Sequence, residues 1–252
     1  MAGGRTTAVF ACGAVEQHGP HLPTGTDDYL GTAIAERAAR IAGNALVAPT
    51  IRPGLSEHHM WFPGSFTLRP STFVALIEDY CESLARHGFE RIVIFPSHGG
   101  NADTLRAQAP LLARAFHGRV DVSVWLRGDL MRRSAELLAP LGVTAGAAGA
   151  HAGFTETSMM LQYQPSLVHM EDAEPGRSDE EFYRPENVAR SQMESFLYGI
   201  HTQSPNGILG DPVGSTAKAG DDLLELAAQA LAEELRRASV FTTDKPVDVP
   251  VV

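Results

Sequence analysis

The stretch GAVEQHGPHLPTGTDD, residues 13–28, holds Glu16, His18, His21, Asp27 and Asp28 among prolines and glycines that fix the backbone carrying them. Carboxylates and imidazoles together are ligands for divalent cations. In an extended chain, residues two apart point to the same side, so Glu16 and His18 can aim at one point. Asp27 arrives after a turn rich in Pro and Gly, and its two oxygens can each meet a different ion. Loop histidines beside solvated acids would also account for this block taken alone.

Two further blocks add to it. SHGGN, residues 97–101, brings His98 just beyond an apolar run, at the sheet edge where open α/β folds bind ligands, with Gly99 and Gly100 leaving room beside it. HAGFTETSMM, residues 151–160, puts Glu156 five residues after His151 at the start of a predicted helix, where an acid also suits the helix dipole. The three blocks supply a set sufficient for two divalent ions, Zn²⁺, Mn²⁺ or Fe²⁺. Two such ions lower the pKa of a shared water and polarise a carbonyl, which is hydrolase chemistry. The sequence has no GxGxxG after its first strand, no GxxxxGK[ST], no HExxH and no GxSxG, so nothing supports dinucleotide, P-loop, zincin or α/β-hydrolase readings.

The elements that must position these groups alternate. Apolar runs predict strands over 7–15, 45–51, 91–96 and 119–126. Helical spacing predicts a helix opening at Asp27 or Asp28 and another over 71–88, with Ser71 as N-cap and Gly88 at C′. A third helix is expected over 103–117, with a possible kink at Pro110. The last spans 221–238, with acids at its start and Arg236 and Arg237 near its end. The small-residue segment 142–153 reads as a loop passing near a ligand or as a plain flexible loop, and 171–190 as a surface excursion. The expectation is one α/β domain over 1–252, layered, with a mostly parallel central sheet and helices on both faces.

A length of 252 residues with 44% hydrophobic and 20% charged content is that of a chain able to bury its own core. A formal charge of −10 without a basic cluster argues against nucleic acid or anionic lipid as partner. No apolar run suits a signal peptide or a membrane span, so the expected location is the cytoplasm. Cys12 and Cys81 form no disulfide framework and read as buried free thiols.

The blocks VEQHGPHLPTGTD, SEHHMWFPGSFTL, IVIFPSHGGN, HAGFTETSMML and NGILGDPVGSTAKAG, spread over about residues 9 to 220, together resemble the creatininase family, creatinine amidohydrolase and its relatives. The resemblance implies a layered α/β domain, a dinuclear metal centre and usually a homohexamer. By matching position, Glu16, Asp27 and His98 would hold one ion and His18, Asp27 and Glu156 the other, with Asp27 bridging. His151 would stand near the substrate as general acid, with Glu156 beside it in the catalytic set. Ser56 and His59 would line the substrate pocket, and Asp28 and His21 would support.

The sequence departs from creatininase itself at two places. Gly100 stands where creatininase has a metal-binding glutamate, and Ala147, Ala148, Gly149 and Ala150 replace bulky aromatic and acidic residues before the histidine that matches His151. A clamp for the flat creatinine ring is missing, which points to another substrate. The resemblance implies hydrolysis of an amide, cyclic amide or formamide C–N bond of a small polar molecule by a metal-bound hydroxide. Its alternatives are opening of an oxidised inositol ring, trimming of a cofactor-precursor peptide, or a metal-stabilised binding protein without turnover.

Overall fold

Two central strands are apolar on both sides because helices cover both faces of the sheet. In the computed structural model, which describes residue 4 and residues 6–237, β1 (Thr7–Cys12) and β3 (Arg91–Pro96) are buried along their whole length. Ala8, Phe10 and Cys12 of β1, with Ile92 and Ile94 of β3, enter one core, while Val9, Ala11, Val93 and Phe95 enter the other. This alternation of successive side chains is the period of an extended strand. Each fully buried Ile or Phe here stabilises the fold by roughly 1.5–3 kcal/mol.

The sheet is parallel, in the order β2 (Ala45–Val47), β1, β3, β4 (Asp121–Val124). On the face of Val9, Ala11, Val93 and Phe95 lie α1 (Thr26–Ala42), α6 (Phe154–Tyr163) and α8 (Ala217–Arg236). On the other lie α2 (Pro70–Arg86) and α3 (Ala102–Ala115). The shorter helices are α4 (Leu130–Leu138), α5 (Ala145–Ala148) and α7 (Pro185–Tyr198). The chain steps outward from β1 to β2 and, in the opposite direction, from β3 to β4. The reversal lies between β1 and β3, and the crevice beyond the carboxyl ends of strands at such a switch point is where open α/β sheets hold ligands. Pairing of Cys12 with Pro96 makes both strands end level, so Glu16 and His98 leave the same edge.

The layered fold, with helices on both faces, is as expected, and the strand at 91–96 matches to the residue. Several boundaries differ. The first strand stops at Cys12, and the second at Val47, after which only Ile51 bridges back to Cys12. The fourth is confined to 121–124. Ser71 is not the N-cap of α2: Pro70 takes the first helical position, where a preset φ and a missing N–H cost nothing, and Arg69 precedes it. Gly88 does adopt the left-handed conformation just past that helix, at φ +81°.

α8 begins four residues earlier than expected, capped by the Thr216 hydroxyl accepting from the Ala219 N–H, so its first turn contains no acid. Asp221 pairs instead with Arg37 at 2.8 Å. The expected last residue of that helix, Ala238, lies outside the described residues. Pro110 sits on the exposed side of α3, which runs through it unbroken. Segment 142–153 is not all loop, since it holds the single turn of α5. Cys12 and Cys81 are both buried and free, and burial pushes both thiols up in pKa. Among the described residues no helix is long and apolar enough to cross a membrane.

Candidate metal centre

Loops and two helix starts, those of α1 and α6, converge beyond β1 and β3. α1 approaches the strands so closely that a Cβ on Gly31 would sit 2.6 Å from Ser97 Oγ and 2.7 Å from Ala11 Cβ. The contact brings the first turn of α1, with Asp27 and Asp28, against the chain leaving β1. Asn101, fully buried, ties the loops together: its amide donates to the carbonyls of Cys12 (3.0 Å) and Gly13 (2.9 Å), and its Oδ1 accepts from the Leu55 N–H at 3.0 Å.

Within this frame the predicted ligands meet. His98 Nδ1 lies 3.2 Å from Glu16 Oε1 and 3.3 Å from Asp27 Oδ2. His18 Nε2 lies 3.8 Å from the same Asp27 oxygen and 3.7 Å from Glu156 Oε2. Asp27 therefore faces both groups. His151 Nδ1 and His59 Nε2 each stand 3.5 Å from Glu16 Oε1. All of these side chains are buried except Glu156, whose side chain is 20% exposed and marks the open side.

The far nitrogens of His18, His98 and His151 are committed to the backbone. His18 Nδ1–H donates to the Glu16 carbonyl (3.0 Å), His98 Nε2–H to that of Leu55 (3.1 Å) and His151 Nε2–H to that of Gln17 (2.7 Å). Each bond fixes a tautomer and turns the other nitrogen's lone pair toward the carboxylates, the arrangement usual behind metal-ligating histidines. Glu156 is held by the Ala152 N–H, 2.6 Å from its Oε2, and Ala152 takes a positive φ of 52° to donate there.

Both Glu16 oxygens, His18 Nε2 and Asp27 Oδ2 are buried without a hydrogen-bond partner. Buried polar atoms are normally satisfied, and carboxylate and imidazole lone pairs gathered without donors fit divalent cations. Glu16 with His18 and His151, and His18 with Asp27 and Glu156, form groups whose candidate atoms all lie within 4.8 Å of one another.

The charges are interdependent. Burial opposes ionisation of Glu16, yet His98, and after it His59 and His151, hold its carboxyl well below the usual carboxylate range. Burial likewise opposes the imidazolium forms, but Glu16 and Asp27 hold His98 well above its ordinary value, and Asp27, Glu156 and Glu16 raise His18. His151 goes the other way, driven well below the usual range by burial and by His18 and His59. His59 is pushed down to about 3, mainly by burial against the pull of Glu16. Burial raises Glu156, and Asp27 adds to the rise against His18.

Not every residue of the first block joins the cluster. His21 turns away, its Nε2 2.9 Å from Thr157 Oγ1, and Asp28 is engaged by Arg52 at 2.8 Å. Ser56 is fully buried at the head of the turn Glu57–His59, its Oγ without a partner. Three contributors have no individual sequence signal. Asn101 acts through loops that only folding brings together. His58, grouped with Glu16 and His98, lies between the His98 ring (5.7 Å) and the Phe196 ring (4.5 Å); the paired histidines of SEHHMWF were its only hint. Arg127, just past β4, is close enough for Glu156 and Asp27 to act on its guanidinium, whose pKa burial lowers against their pull.

At Gly100 a Cβ would lie 2.4 Å from His98 Nε2 and 2.5 Å from the Leu55 carbonyl, so this backbone admits no side chain there. Glu156 is instead the carboxylate near His18.

The sequence matches the family described as "Creatininase: Creatinine amidohydrolase" over residues 1–235. The mycofactocin precursor peptide peptidase of Mycolicibacterium smegmatis is 32% identical over 230 residues, covering 89% of this chain and 82% of that protein. The creatinine amidohydrolase of Pseudomonas putida is 29% identical over 250 residues, 94% of this chain and 91% of that one. Among solved structures, a mutant creatininase of Zn-Zn type superposes with a TM-score of 0.74 at 26% identity, covering 93% of this chain and 91% of that chain. Creatininase Mn gives 0.73 at 27% identity with the same coverage. The chain belongs to the creatininase family of hydrolases.

Proposed function

We propose that this protein is a dinuclear metal-dependent hydrolase of C–N bonds in small polar substrates. The observation that carries the reading is the buried Asp27 Oδ2, without a hydrogen-bond donor and facing both His98 and His18. Glu16, Asp27 and His98 would hold one ion and His18, Asp27 and Glu156 the other, each Zn²⁺, Mn²⁺ or Fe²⁺. The Zn-Zn and manganese forms of the similar creatininases support the first two metals. When bound, such ions supply a nucleophilic water at neutral pH and polarise the carbonyl under attack.

The chain's own residues handle the proton. His151 is neutral, its Nε2–H fixed on Gln17, so Nδ1 can accept a proton from the attacking water. Burial that disfavours the cation makes the resulting imidazolium a strong acid toward the leaving nitrogen. Glu156, held by the Ala152 N–H at the open side, borders the same space as a ligand and catalytic carboxylate. His59 stands 3.5 Å from Glu16 Oε1, and Ser56 heads the same turn with its hydroxyl unpartnered, so these two would serve substrate binding.

Among C–N bonds the peptide bond is favoured, because the mycofactocin peptidase is similar over most of its length. Creatinine fits less well. The small residues 147–150 turn tightly against 209–211, where the Ala147 carbonyl accepts the Asp211 N–H at 3.0 Å, and offer no aromatic wall. The test is a screen of short peptides, cyclic amides and formamides with protein loaded with Zn²⁺ or Mn²⁺. Cleavage that chelator abolishes and metal restores is expected. A fully loaded protein that cleaves none of the three classes contradicts the reading.

A further inference from the structure

Arg127 is a cation that the hydrolytic machinery leaves unused. After β4 ends at Val124 the chain turns into α4 through Arg127 at φ +65° and Gly128 at φ +49°. The left-handed region strains a residue that carries a Cβ, and glycine would enter it freely. Such strain is characteristic of functional positions, and this one is partly buried and leaves the same sheet edge as His98, since Val124 pairs with Ile94 of β3 in parallel and the Trp125 N–H donates to the Ile94 carbonyl; Glu156 and Asp27 act on its charge from there. Yet among the described residues the guanidinium makes no ion pair within 4.0 Å and no hydrogen bond.

The charge balance indicates what it is for. Glu16, Asp27 and Glu156 bring three negative charges, which two divalent ions with one hydroxide would neutralise. The nearby Asp28 is already answered by Arg52. Arg127 is left as positive charge in excess beside the reacting space. A guanidinium is a planar fork of donors matched to a carboxylate.

We propose that Arg127 binds a carboxylate of the substrate close to the cleaved C–N bond, so that the enzyme selects amides bearing a free acid, such as peptides cut near their C-terminus. The proposal rests on the hydrolase reading above and names the substrate class of that site.

The test is calorimetric titration of zinc-loaded protein with N-acetylglycine and with N-acetylglycinamide, which differ only in acid against carboxamide. The proteins compared are wild type, Arg127→Gln, Arg127→Gly and Arg127→Lys, each with its zinc content measured. Arg127→Gly relieves the positive φ, so it removes the side chain without burdening the fold. Wild type should prefer the acid, and Gln or Gly should reduce that preference about tenfold, the worth of one charge-assisted pair, while Lys restores part of it. Direct binding of the acid to zinc is common to all four and cancels in the comparison.

An unchanged preference in Arg127→Gln and Arg127→Gly overturns the proposal. So does a wild type that does not discriminate, or zinc lost from Arg127→Gly, which would make the residue a support of the centre. Failure of the hydrolase reading looks different: an Arg127-dependent preference for the acid would persist in a protein that cleaves no C–N bond.

Discussion

Asp27 Oδ2 is the atom on which the site turns, because its neighbours His98 and His18 belong to two different groups of candidate ligands. The imidazoles that face it set a pH dependence. His98 and His18 are raised above the ordinary histidine value in the metal-free protein, so they hold their protons to higher pH than a free imidazole does, and a cation must compete with those protons. Metal affinity should therefore rise as pH rises through those values, with protons released on binding. Titration in two buffers of different ionisation enthalpy measures the release, and binding without proton release would contradict the raised values. His151 predicts a kinetic effect. Removing a group that moves a proton costs about 10²–10⁴-fold in rate, so His151→Ala should lose kcat on that order while keeping its metal content, as single-turnover and metal analyses of the same sample would show.

Loops and helix starts hold these residues, and their demands are steric. Gly100 admits no Cβ, so Gly100→Ala should push the His98 ring off its bond to the Leu55 carbonyl. The expected result is loss of bound metal at wild-type secondary structure, read by metal analysis beside circular dichroism; full metal content in the variant would refute the clash. Asn101→Ala should be more general in effect. It leaves the Leu55 N–H unpaired and removes one donor from each of the Cys12 and Gly13 carbonyls, at about 1–3 kcal/mol for a buried unsatisfied group, measurable by chemical denaturation.

The same elements show what the sequence could reveal. The strand at 91–96 was legible because burial on both faces leaves an unbroken apolar run, and Glu16, His18, Asp27, His98 and Glu156 because ligand types at strand ends and a helix start are a local pattern. The starts of α2 and α8 were not, because Pro70 and Thr216 competed with equally plausible caps nearby. Asn101, His58 and Arg127 were missed for a different reason. Asn101 acts on Gly13 and Leu55, 88 and 46 residues away in sequence, and only the closed sheet edge gives such residues their neighbours.

For the molecule as a whole, metal binding is expected to be linked to stability. The cluster gathers carboxylates and imidazoles that only the folded chain brings together, so cations that bind it stabilise the fold by about 2.7 kcal/mol at a hundredfold excess over Kd. Chelator-treated protein should unfold at a lower temperature than the loaded form in calorimetry. The family resemblance also predicts a homohexamer. Trp61, Phe66, Leu197 and Tyr198 are apolar side chains more than half exposed on the single chain, as surfaces buried by partner copies would be. Light scattering should give about six times the 27.0 kDa of one chain, and a monomer would exclude the hexamer.

Metal content decides the central question. In protein purified without chelator, about two divalent ions per chain are expected, the number that a bridged centre holds, and Asp27→Ala should lose both along with hydrolysis. One ion or none in wild type after reconstitution with Zn²⁺, Mn²⁺ and Fe²⁺, or an unchanged metal content in Asp27→Ala, would contradict a dinuclear centre bridged by that residue.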